Sequence, residues 1–348
     1  PIIPHLTIKN PPVLMFLNIK TGGFLMVRWG IIGLGNIAKR FAKSLEYEKY
    51  GKLVAVAGKT ENKRMYFKEA YKDVKVYESY DELFNDQDID AVYIALPHRF
   101  HAKWSIRGLN KGKAILCEKP STLNSSELDG ILKCAKRNKT FYMEAMKTPF
   151  VPMFDLIKDV LKSGVIGDIK CIYAGFCSKP NVDKNSYLYN KEDGGAVLDV
   201  ASYPIAFVLR ILNDKKILSI NKKIKKKKFD EVSIDVHFEA SIKFEGDVTA
   251  NIEGGIDGEK ERTAIIEGTL GKMYIPIFNR PESYKVILND GREYEEKLSL
   301  INDDMYGEIH EVHKCLALGK IESDIFTWNN SIEILKIIDH IRDINKYS

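Results

Sequence analysis

Residues 27–38 read VRWGIIGLGNIA, an apolar run followed by a glycine-rich turn. Gly33, Gly35 and Ala38 fit the pattern GxGxxG/A, in which the first glycine makes a tight turn and the second lets the backbone approach a pyrophosphate. The helix that follows would direct its N-terminus at that anion. The pattern indicates a dinucleotide-binding turn, and a plain tight turn is the alternative. The predicted cofactor contacts in this turn are Gly33, Leu34, Gly35, Asn36 and Ile37.

Strands and helices alternate from this turn onward. Apolar runs predict strands, and apolar residues spaced by four, such as Ile37, Phe41 and Leu45, predict helices. The predicted strands are residues 27–32, 53–57, 75–77, 91–96, 114–117 and 141–143, and the predicted helices include 63–71, 101–110 and 125–138. Repeated strand–helix units imply an α/β fold that begins with a Rossmann domain, a doubly wound parallel sheet.

The alternation of predicted strands and helices ends after Pro149. Long strands with short turns between them predict a C-terminal α+β domain whose sheet is largely antiparallel. These strands are residues 169–176, 232–244, 248–254, 263–267 and 272–277, and helices are predicted at 153–163, after Gly194-Gly195, at 306–317 and at 331–342. We expect residues 1–25 to be an extension outside the fold, 26–148 to bind the dinucleotide, and 149–348 to form the substrate and oligomerisation domain.

Composition excludes several classes of function. The 348 residues are 45% hydrophobic and 29% charged with a formal net charge of +5, an ordinary globular balance that gives little support to nucleic-acid binding. The lysine run at 222–228 lacks the interleaved aromatic residues that stack on bases, so a solvated turn beside an exposed strand is favoured over a nucleic-acid patch. No apolar run approaches the ~18 residues of a membrane span. We therefore expect a cytoplasmic protein.

The five cysteines show neither a CxxC pair nor the spacing of metal ligands. An odd and scattered set is typical of free thiols in a reducing compartment. No metal site is predicted.

Cofactor choice depends on the residues that follow the second strand. An acidic residue there binds the ribose 2′-hydroxyl of NAD. Lys59 and Thr60 come first instead, both suited to a 2′-phosphate, and Glu61 comes later. This order favours NADP and leaves NAD open. The alternative is that Lys59 is an ordinary surface lysine.

Two further segments end strands at the carboxyl edge of the sheet, where ligands bind in doubly wound folds. Leu96 ends the fourth predicted strand, and Pro97, His98 and His101 follow it. Either histidine is a candidate to line the nicotinamide site. His101 has an equal alternative as a simple helix start. Glu118 and Lys119 end the next strand. This pair is either a structural salt bridge or a means of placing an ammonium group beside the substrate.

Asp199 and Tyr203 stand four residues apart after Gly194-Gly195. If this stretch is helical, both side chains lie on one face. A phenol and a carboxylate beside a nicotinamide are suitable proton-transfer partners. A helix cap and a packed tyrosine are the structural alternative.

Taken in order, these motifs resemble the glucose–fructose oxidoreductase / inositol dehydrogenase / rhizopine catabolism (Gfo/Idh/MocA) family, from Met26 to about Arg342. The resemblance is carried by residues 33–38, 90–97, 118–120, 143–145 and 164–167 and by Asp199 with Tyr203. It implies a Rossmann domain, an open-faced second sheet used for homodimer or homotetramer contacts, and Lys119 at the catalytic centre.

Tyr203 stands where many members of the family carry histidine. That resembles the branch of dimeric dihydrodiol dehydrogenases and NADP-dependent xylose dehydrogenases. Lys147 and Pro149 replace the tryptophan and arginine usual in that branch, which leaves the substrate open.

The expected activity is reversible hydride transfer between nicotinamide and a carbonyl or secondary alcohol of a sugar or trans-dihydrodiol. Tyr203 would donate the proton, Lys119 would stabilise the oxyanion, and Asp199 would orient Lys119 or bind a substrate hydroxyl. A cofactor-using glycosidase and a non-catalytic dinucleotide-sensing regulator are the rival hypotheses.

Overall fold

The computed structural model describes residues 26–182, 186–212, 215–229 and 231–344. The predicted extension at 1–25 lies outside these residues. The described chain forms two sheets, one of six strands and one of eight. Its helices cover both faces of the first sheet and one face of the second.

The first sheet is parallel throughout, in the order β3-β2-β1-β4-β5-β6. Its strands are β1 (Val27–Ile32), β2 (Gly51–Ala57), β3 (Lys75–Tyr77), β4 (Ala91–Ile94), β5 (Ala114–Glu118) and β6 (Tyr142–Ala145). The intervening helices are α1 (Asn36–Leu45), α2 (Glu61–Ala70), α3 (Tyr80–Asn85), α4 (His101–Asn110) and α5 (Ser125–Asn138). This order confirms the predicted Rossmann fold, because β2 and β3 are added on one side of β1 and β4 to β6 on the other.

Helix α3 is an element that the sequence pattern did not indicate. It has only six residues, fewer than two turns, so its apolar periodicity is too short to recognise. Ser79 caps it, accepting a hydrogen bond from the Asp81 backbone N–H at 3.2 Å.

The second sheet has the order β14-β13-β12-β11-β7-β10-β9-β8 and is antiparallel except where β7 and β10 pair. Its strands are β7 (Ile169–Cys177), β8 (Ile217–Phe229), β9 (Val232–Phe244), β10 (Val248–Gly255), β11 (Lys260–Gly268), β12 (Gly271–Pro276), β13 (Ser283–Leu288) and β14 (Glu293–Lys297). Helices α6 (Pro152–Lys162), α7 (Ala196–Val200) and α8 (Ser202–Ile211) belong to the same part of the chain. The predicted largely antiparallel sheet is confirmed.

Alternation along β9 separates the two faces of this sheet. Val236 and Phe238 are fully buried under α7 and α8, whereas Glu239 on the opposite face is exposed. We refer to the side that carries His237 and Glu239 as the open face. A sheet with one covered face produces this period of two.

The lysine run corrects one prediction, because residues 222–228 form part of strand β8 and not a turn. Pairing with β9 supplies the backbone hydrogen bonds that a turn would lack. Strand β8 ends the ladder of described strands, so its outer edge faces solvent. Lysines suit such an edge because their charge discourages pairing with other chains.

The last two helices return to the first sheet. In α9 (Tyr306–Ala317), Ile309 and Val312 join the core around Trp29 and Phe41, and the Trp29 indole N–H donates to His313 Nε2 at 2.9 Å. Helix α10 (Trp328–Ile341) packs against α5 and α8. The division of the chain at residue 148 stays a proposal, because these C-terminal helices contact both parts.

Candidate active site

The glycine turn after β1 has the shape that a dinucleotide needs. Gly33 has φ +86°, and a Cβ there would lie 2.4 Å from the Ala95 carbonyl oxygen, so a side chain is excluded. Gly35 is the N-cap residue of α1, and a Cβ placed on it would have no atom within 4 Å. The first turn of α1 holds no acidic side chain and no side-chain cap. This leaves an open cradle at a helix N-terminus, which fits a pyrophosphate.

The other residues predicted in this turn lie around the cradle. Leu34 is buried, Ile37 is half-buried, and Asn36 is exposed as the first residue of α1. Ala38 is fully buried, as close packing of the helix on the sheet requires.

Lys59 and Thr60 are both exposed where β2 gives way to α2. Sequence reasoning missed a second cation beside them. Arg64 in the first turn of α2 donates to the Gly58 carbonyl at 2.8 Å and to Glu78 at 2.6 Å. Its guanidinium is thereby fixed against the loop that carries Lys59. Two cations and a hydroxyl at this position suit a phosphate better than a neutral ribose.

His98 and His101 lie at the carboxyl edge of the sheet, buried, just beyond Leu96 and Pro97. The His101 ring contacts the carbonyls of Leu96 at 2.7 Å and Pro120 at 2.9 Å, and His98 Nδ1 contacts the Asp193 carbonyl at 3.1 Å. Burial lowers the pKa of His98 to about 3, so this ring is neutral near pH 7. The two rings tie the end of β4 to the segments that carry Lys119 and Asp193.

The ammonium group of Lys119 is the centre of the predicted catalytic set. It donates to the Asp199 carbonyl oxygen at 2.6 Å, lies 3.5 Å from the Asp199 carboxylate, and stands 4.7 Å from the centroid of the Tyr203 ring. Burial opposes its charge, but the neighbouring Tyr203, Asp199 and Tyr187 together raise the pKa of Lys119. Lys119 is therefore a buried cation at neutral pH, held between the other two predicted residues.

Glu118 makes different contacts. Its carboxylate accepts a hydrogen bond from the Tyr93 hydroxyl and another from the Lys119 backbone N–H at 3.2 Å. No ion pair joins Glu118 to Lys119 among the described residues, so their structural salt-bridge alternative is not observed. Glu118 instead fixes the backbone from which Lys119 projects.

A backbone constraint positions Asp199 and Tyr203. Gly195 has φ +102° and packs against Asp235, whose carboxylate accepts the Val197 N–H at 2.7 Å. Helices α7 and α8 then follow with helical geometry at the junction residue Ala201. Asp199 and Tyr203 consequently approach Lys119 from the same side, four residues apart.

Sequence reasoning missed three neighbours of this cluster. The Tyr187 hydroxyl donates to the Asp199 carboxylate at 3.4 Å, and its ring meets His98 edge-on at 5.2 Å. Arg262 stacks 3.9 Å above the Phe176 ring, and Phe176 in turn contacts Tyr203. These residues come from the segment after β7 and from β7 and β11 themselves. No local spacing marks them, because only the fold brings them together.

Lys147 and Pro149, the departures from the branch pattern, are both accommodated. Lys147 Nζ lies 2.5 Å from the carboxylate of Asp304, whose side chain is only 3% exposed. Arg40 and Arg280 approach the same carboxylate. Pro149 is buried in the adjoining turn. The charge of Lys147 is thus balanced by Asp304, which is distant in the sequence.

Comparison with known proteins agrees with this geometry. A family model described as "Oxidoreductase family, NAD-binding Rossmann fold" matches residues 27–146, and the "GFO/IDH/MocA C-terminal domain" matches residues 154–274. A solved 3-ketoreductase from Actinomadura kijaniata, in complex with NADP and TDP-benzene, superposes with a TM-score of 0.84 at 24% identity, covering 91% of this chain and 97% of that one. This likeness supports the fold.

Curated relatives match along nearly their whole length. The trans-1,2-dihydrobenzene-1,2-diol dehydrogenase of Xenopus laevis is 28% identical over 323 residues, 90% of this chain and 97% of the relative. The D-xylose 1-dehydrogenase (NADP(+)) of Hypocrea jecorina is 27% identical over 361 residues, 92% of each. The predicted resemblance to this branch is confirmed. Since the two family models together match well over half of it, the chain belongs to the Gfo/Idh/MocA family of oxidoreductases.

Proposed function

We propose that this chain is an NADP-dependent oxidoreductase that acts on a carbonyl or secondary alcohol of a small polyhydroxylated substrate, a sugar or a trans-dihydrodiol. One observation carries the proposal: the buried ammonium of Lys119 lies between Asp199 and the Tyr203 ring at the carboxyl edge of the Rossmann sheet. A cation there opposes the negative charge that develops on a carbonyl oxygen during reduction. Relatives named for dihydrodiol and xylose dehydrogenation support this substrate class.

Each residue of the cluster has a proposed task. The bound nicotinamide supplies or accepts the hydride. Tyr203 gives its phenolic proton to the substrate oxygen in reduction and takes it back in oxidation. Lys119 stabilises charge on that oxygen and on the phenolate. Asp199 holds Lys119 through its carbonyl, which leaves the carboxylate, with Tyr187 beside it, to orient a substrate hydroxyl.

The cofactor is assigned from the loop after β2. Exposed Lys59 and Thr60, with Arg64 fixed behind them, would bind the 2′-phosphate of NADP. The cradle at Gly35 would hold the pyrophosphate, and residues 96–101 and 118–119 would border the nicotinamide end. NAD remains the weaker ligand in this proposal.

Assembly and location complete the proposal. The open face of the second sheet would bury itself against a second copy, most simply in a two-fold homodimer, with a homotetramer as the larger form. Light scattering at micromolar concentration should therefore give a multiple of the chain mass. We place the protein in the cytoplasm, in line with its free cysteines. None of the described helices is both long and apolar enough to cross a bilayer.

The test is turnover by the purified chain. NADPH should be oxidised in the presence of at least one member of a panel of aldoses, ketoses and vicinal diketones, or NADP reduced with D-xylose or a trans-dihydrodiol. Lys119→Met serves as the control that the chain itself is responsible. Release of free sugar from a glycoside with no net change in nicotinamide absorbance would identify a glycosidase instead. Tight NADPH binding with no turnover across the panel would identify a regulator.

A further inference from the structure

Three strands of the second sheet bring a cysteine, a histidine and a glutamate together on the open face. Cys177 ends β7, His237 lies in β9, and Glu253 lies in β10 between them. One potential ligand atom from each side chain lies within 4.8 Å of the others. The group stands apart from the Lys119 cluster and takes no part in the proposed hydride transfer.

Space for the cysteine and histidine is provided by a missing side chain. Gly255 pairs with Cys177 on one side and with His237 on the other. A Cβ on Gly255 would lie 2.8 Å from Cys177 Sγ and 3.0 Å from His237 Cδ2. Glycine at this position lets the thiol and the imidazole approach each other across β10.

One carboxylate oxygen of Glu253 accepts hydrogen bonds from outside the group, and the other faces His237. Its Oε2 accepts from the Tyr173 hydroxyl at 3.0 Å and from Lys260, while its Oε1 lies 3.0 Å from His237 Nε2. Carboxylates bound to metals are commonly oriented in this way by outer hydrogen bonds to the second oxygen.

We propose that Cys177, His237 and Glu253 bind one divalent metal ion of the zinc type through Sγ, Nε2 and Oε1. Sulfur, imidazole nitrogen and carboxylate oxygen are the donors that zinc prefers. The metal replaces the proton shared by His237 and Glu253. The Cys177 thiol also releases its proton, and the resulting thiolate and carboxylate balance the dication, so Lys260 adjoins a neutral complex.

The fourth position of a tetrahedral ion would face a hollow beside the group. A surface hollow of about 410 Å³ adjoins Cys177 and is also lined by Ser178, Lys179 and residues 259–261. Water fits there as the fourth ligand. The sequence analysis predicted no metal site because the three ligands are 60 and 16 residues apart along the chain and meet only in the folded sheet.

Cobalt(II) titration of the full, metal-free chain tests this proposal. The expected result is a saturable thiolate-to-cobalt charge-transfer band at one ion per chain, which zinc then abolishes. Cys177→Ser should eliminate the band, and His237→Gln or Glu253→Gln should weaken binding by more than about 100-fold, beyond the 10–100-fold of outer-shell changes. Binding should also weaken as pH falls.

Matched controls lie on the same face. Cys171 is a half-buried thiol on the same strand, and Glu239 is an exposed carboxylate that pairs with Glu253 across β9 and β10. Cys171→Ser and Glu239→Gln should keep the band and the affinity. Circular dichroism verifies that each variant is folded. The proposal is overturned if the wild-type band is absent or not saturable, or if Cys177→Ser and Cys171→Ser behave alike.

Discussion

The carboxyl edge of the first sheet and the open face of the second place similar side chains in opposite surroundings. Lys119 at the edge has a side chain 11% exposed, whereas that of Lys225 on the open face is 67% exposed. Tyr203 at the edge lies against a buried cation, whereas Tyr274 on the open face reaches solvent. At the edge, Lys119, Asp199 and Glu118 have fixed partners in a low dielectric, so replacing one of them leaves another buried group unsatisfied. On the open face of the single chain, water can replace a lost partner.

The largest difference is expected in catalysis. Tyr203→Phe keeps the packed ring and removes the proton donor, so the rate of hydride transfer should fall about 10²–10⁴-fold, the usual contribution of general acid–base catalysis. Lys119→Met should cost at least as much, because it removes the cation opposite the oxyanion. The double variant should be little worse than the poorer single one, since groups that act as a unit are non-additive.

Single-turnover measurement of nicotinamide absorbance provides the comparison, and the NADPH affinity of Tyr203→Phe is expected to stay nearly constant. Tyr274→Phe, a matched change on the open face, should leave the rate unaltered. A near wild-type rate for Tyr203→Phe would make Tyr203 a packing residue, and the acid would then have to be sought at Tyr187.

The two regions also differ in how far the sequence predicts them. Strands of the first sheet are covered on both faces and appear as apolar runs, so the predicted 53–57 and 114–117 fall within β2 and β5. Because parallel strands end at a common edge, Glu118 and Lys119 could be placed there from strand ends alone. On the second sheet, most of the exposed positions of β8 are lysines. This segment is a strand because it pairs with β9. Composition therefore suggested a turn.

Side chains that meet across long sequence separations could not be predicted from the sequence. Tyr187 and Arg262 approach the Lys119 cluster, and Asp304 meets Lys147, through tertiary contacts with no local signature. Gly33 was predictable because its positive φ and the nearby Ala95 carbonyl exclude a side chain, and Gly35 because the motif keeps that position open for a pyrophosphate.

The free energy of unfolding should fall in acid because of a buried histidine in α9, His313. His313 is 2% exposed, and its Nε2 accepts the Trp29 N–H, an arrangement that the protonated ring cannot keep. Burial lowers the pKa of His313 to about 4, against about 6.5 in the unfolded chain. The folded-state pKa is depressed, so the stabilisation is complete above pH 6.5 and is lost as pH falls from 6.5 through 4. The loss should amount to about 2–3 kcal/mol.

Urea unfolding at a series of pH values measures this effect. His313→Gln retains an acceptor for Trp29 and cannot titrate, so its free energy of unfolding should decline less steeply between pH 6.5 and 4. Parallel curves for His313→Gln and the wild type would show that His313 does not govern acid unfolding.

The preference for NADPH over NADH should change by a smaller free energy when Lys59 is replaced, because Lys59 is exposed. Lys59→Ala should weaken NADPH binding by about 1–3 kcal/mol, the range for a lost charged hydrogen bond, and leave NADH binding unchanged. Fluorescence titration with both nucleotides measures the ratio. Lys68→Ala, farther along α2 and also exposed, serves as the control. Equal affinities of the wild type for NADPH and NADH would contradict the assignment of the 2′-phosphate to this loop.

The smallest effect on stability is expected at the lysine-rich edge strand. Lys223, Lys225 and Lys228 are exposed, so each change to Gln should alter the free energy of unfolding by less than about 0.5 kcal/mol. Lys222 differs within the same run, because its ammonium donates to the Ile341 carbonyl at 2.9 Å at the end of α10. Lys222→Gln loses that helix-end contact and should cost about 1 kcal/mol.

For aggregation we expect the opposite order, with a larger effect from the exposed lysines than from Lys222. Replacing Lys223, Lys225 and Lys228 together by Gln removes the charges that keep the free edge of β8 from pairing with another chain. The triple variant should unfold at nearly the wild-type urea concentration yet scatter light sooner on warming, while Lys222→Gln should unfold earlier without scattering more at equal folded fraction. If the triple variant stays as clear as the wild type, the lysines do not protect this edge. Their charge would then have to serve another role, with binding of a polyanion the first to examine.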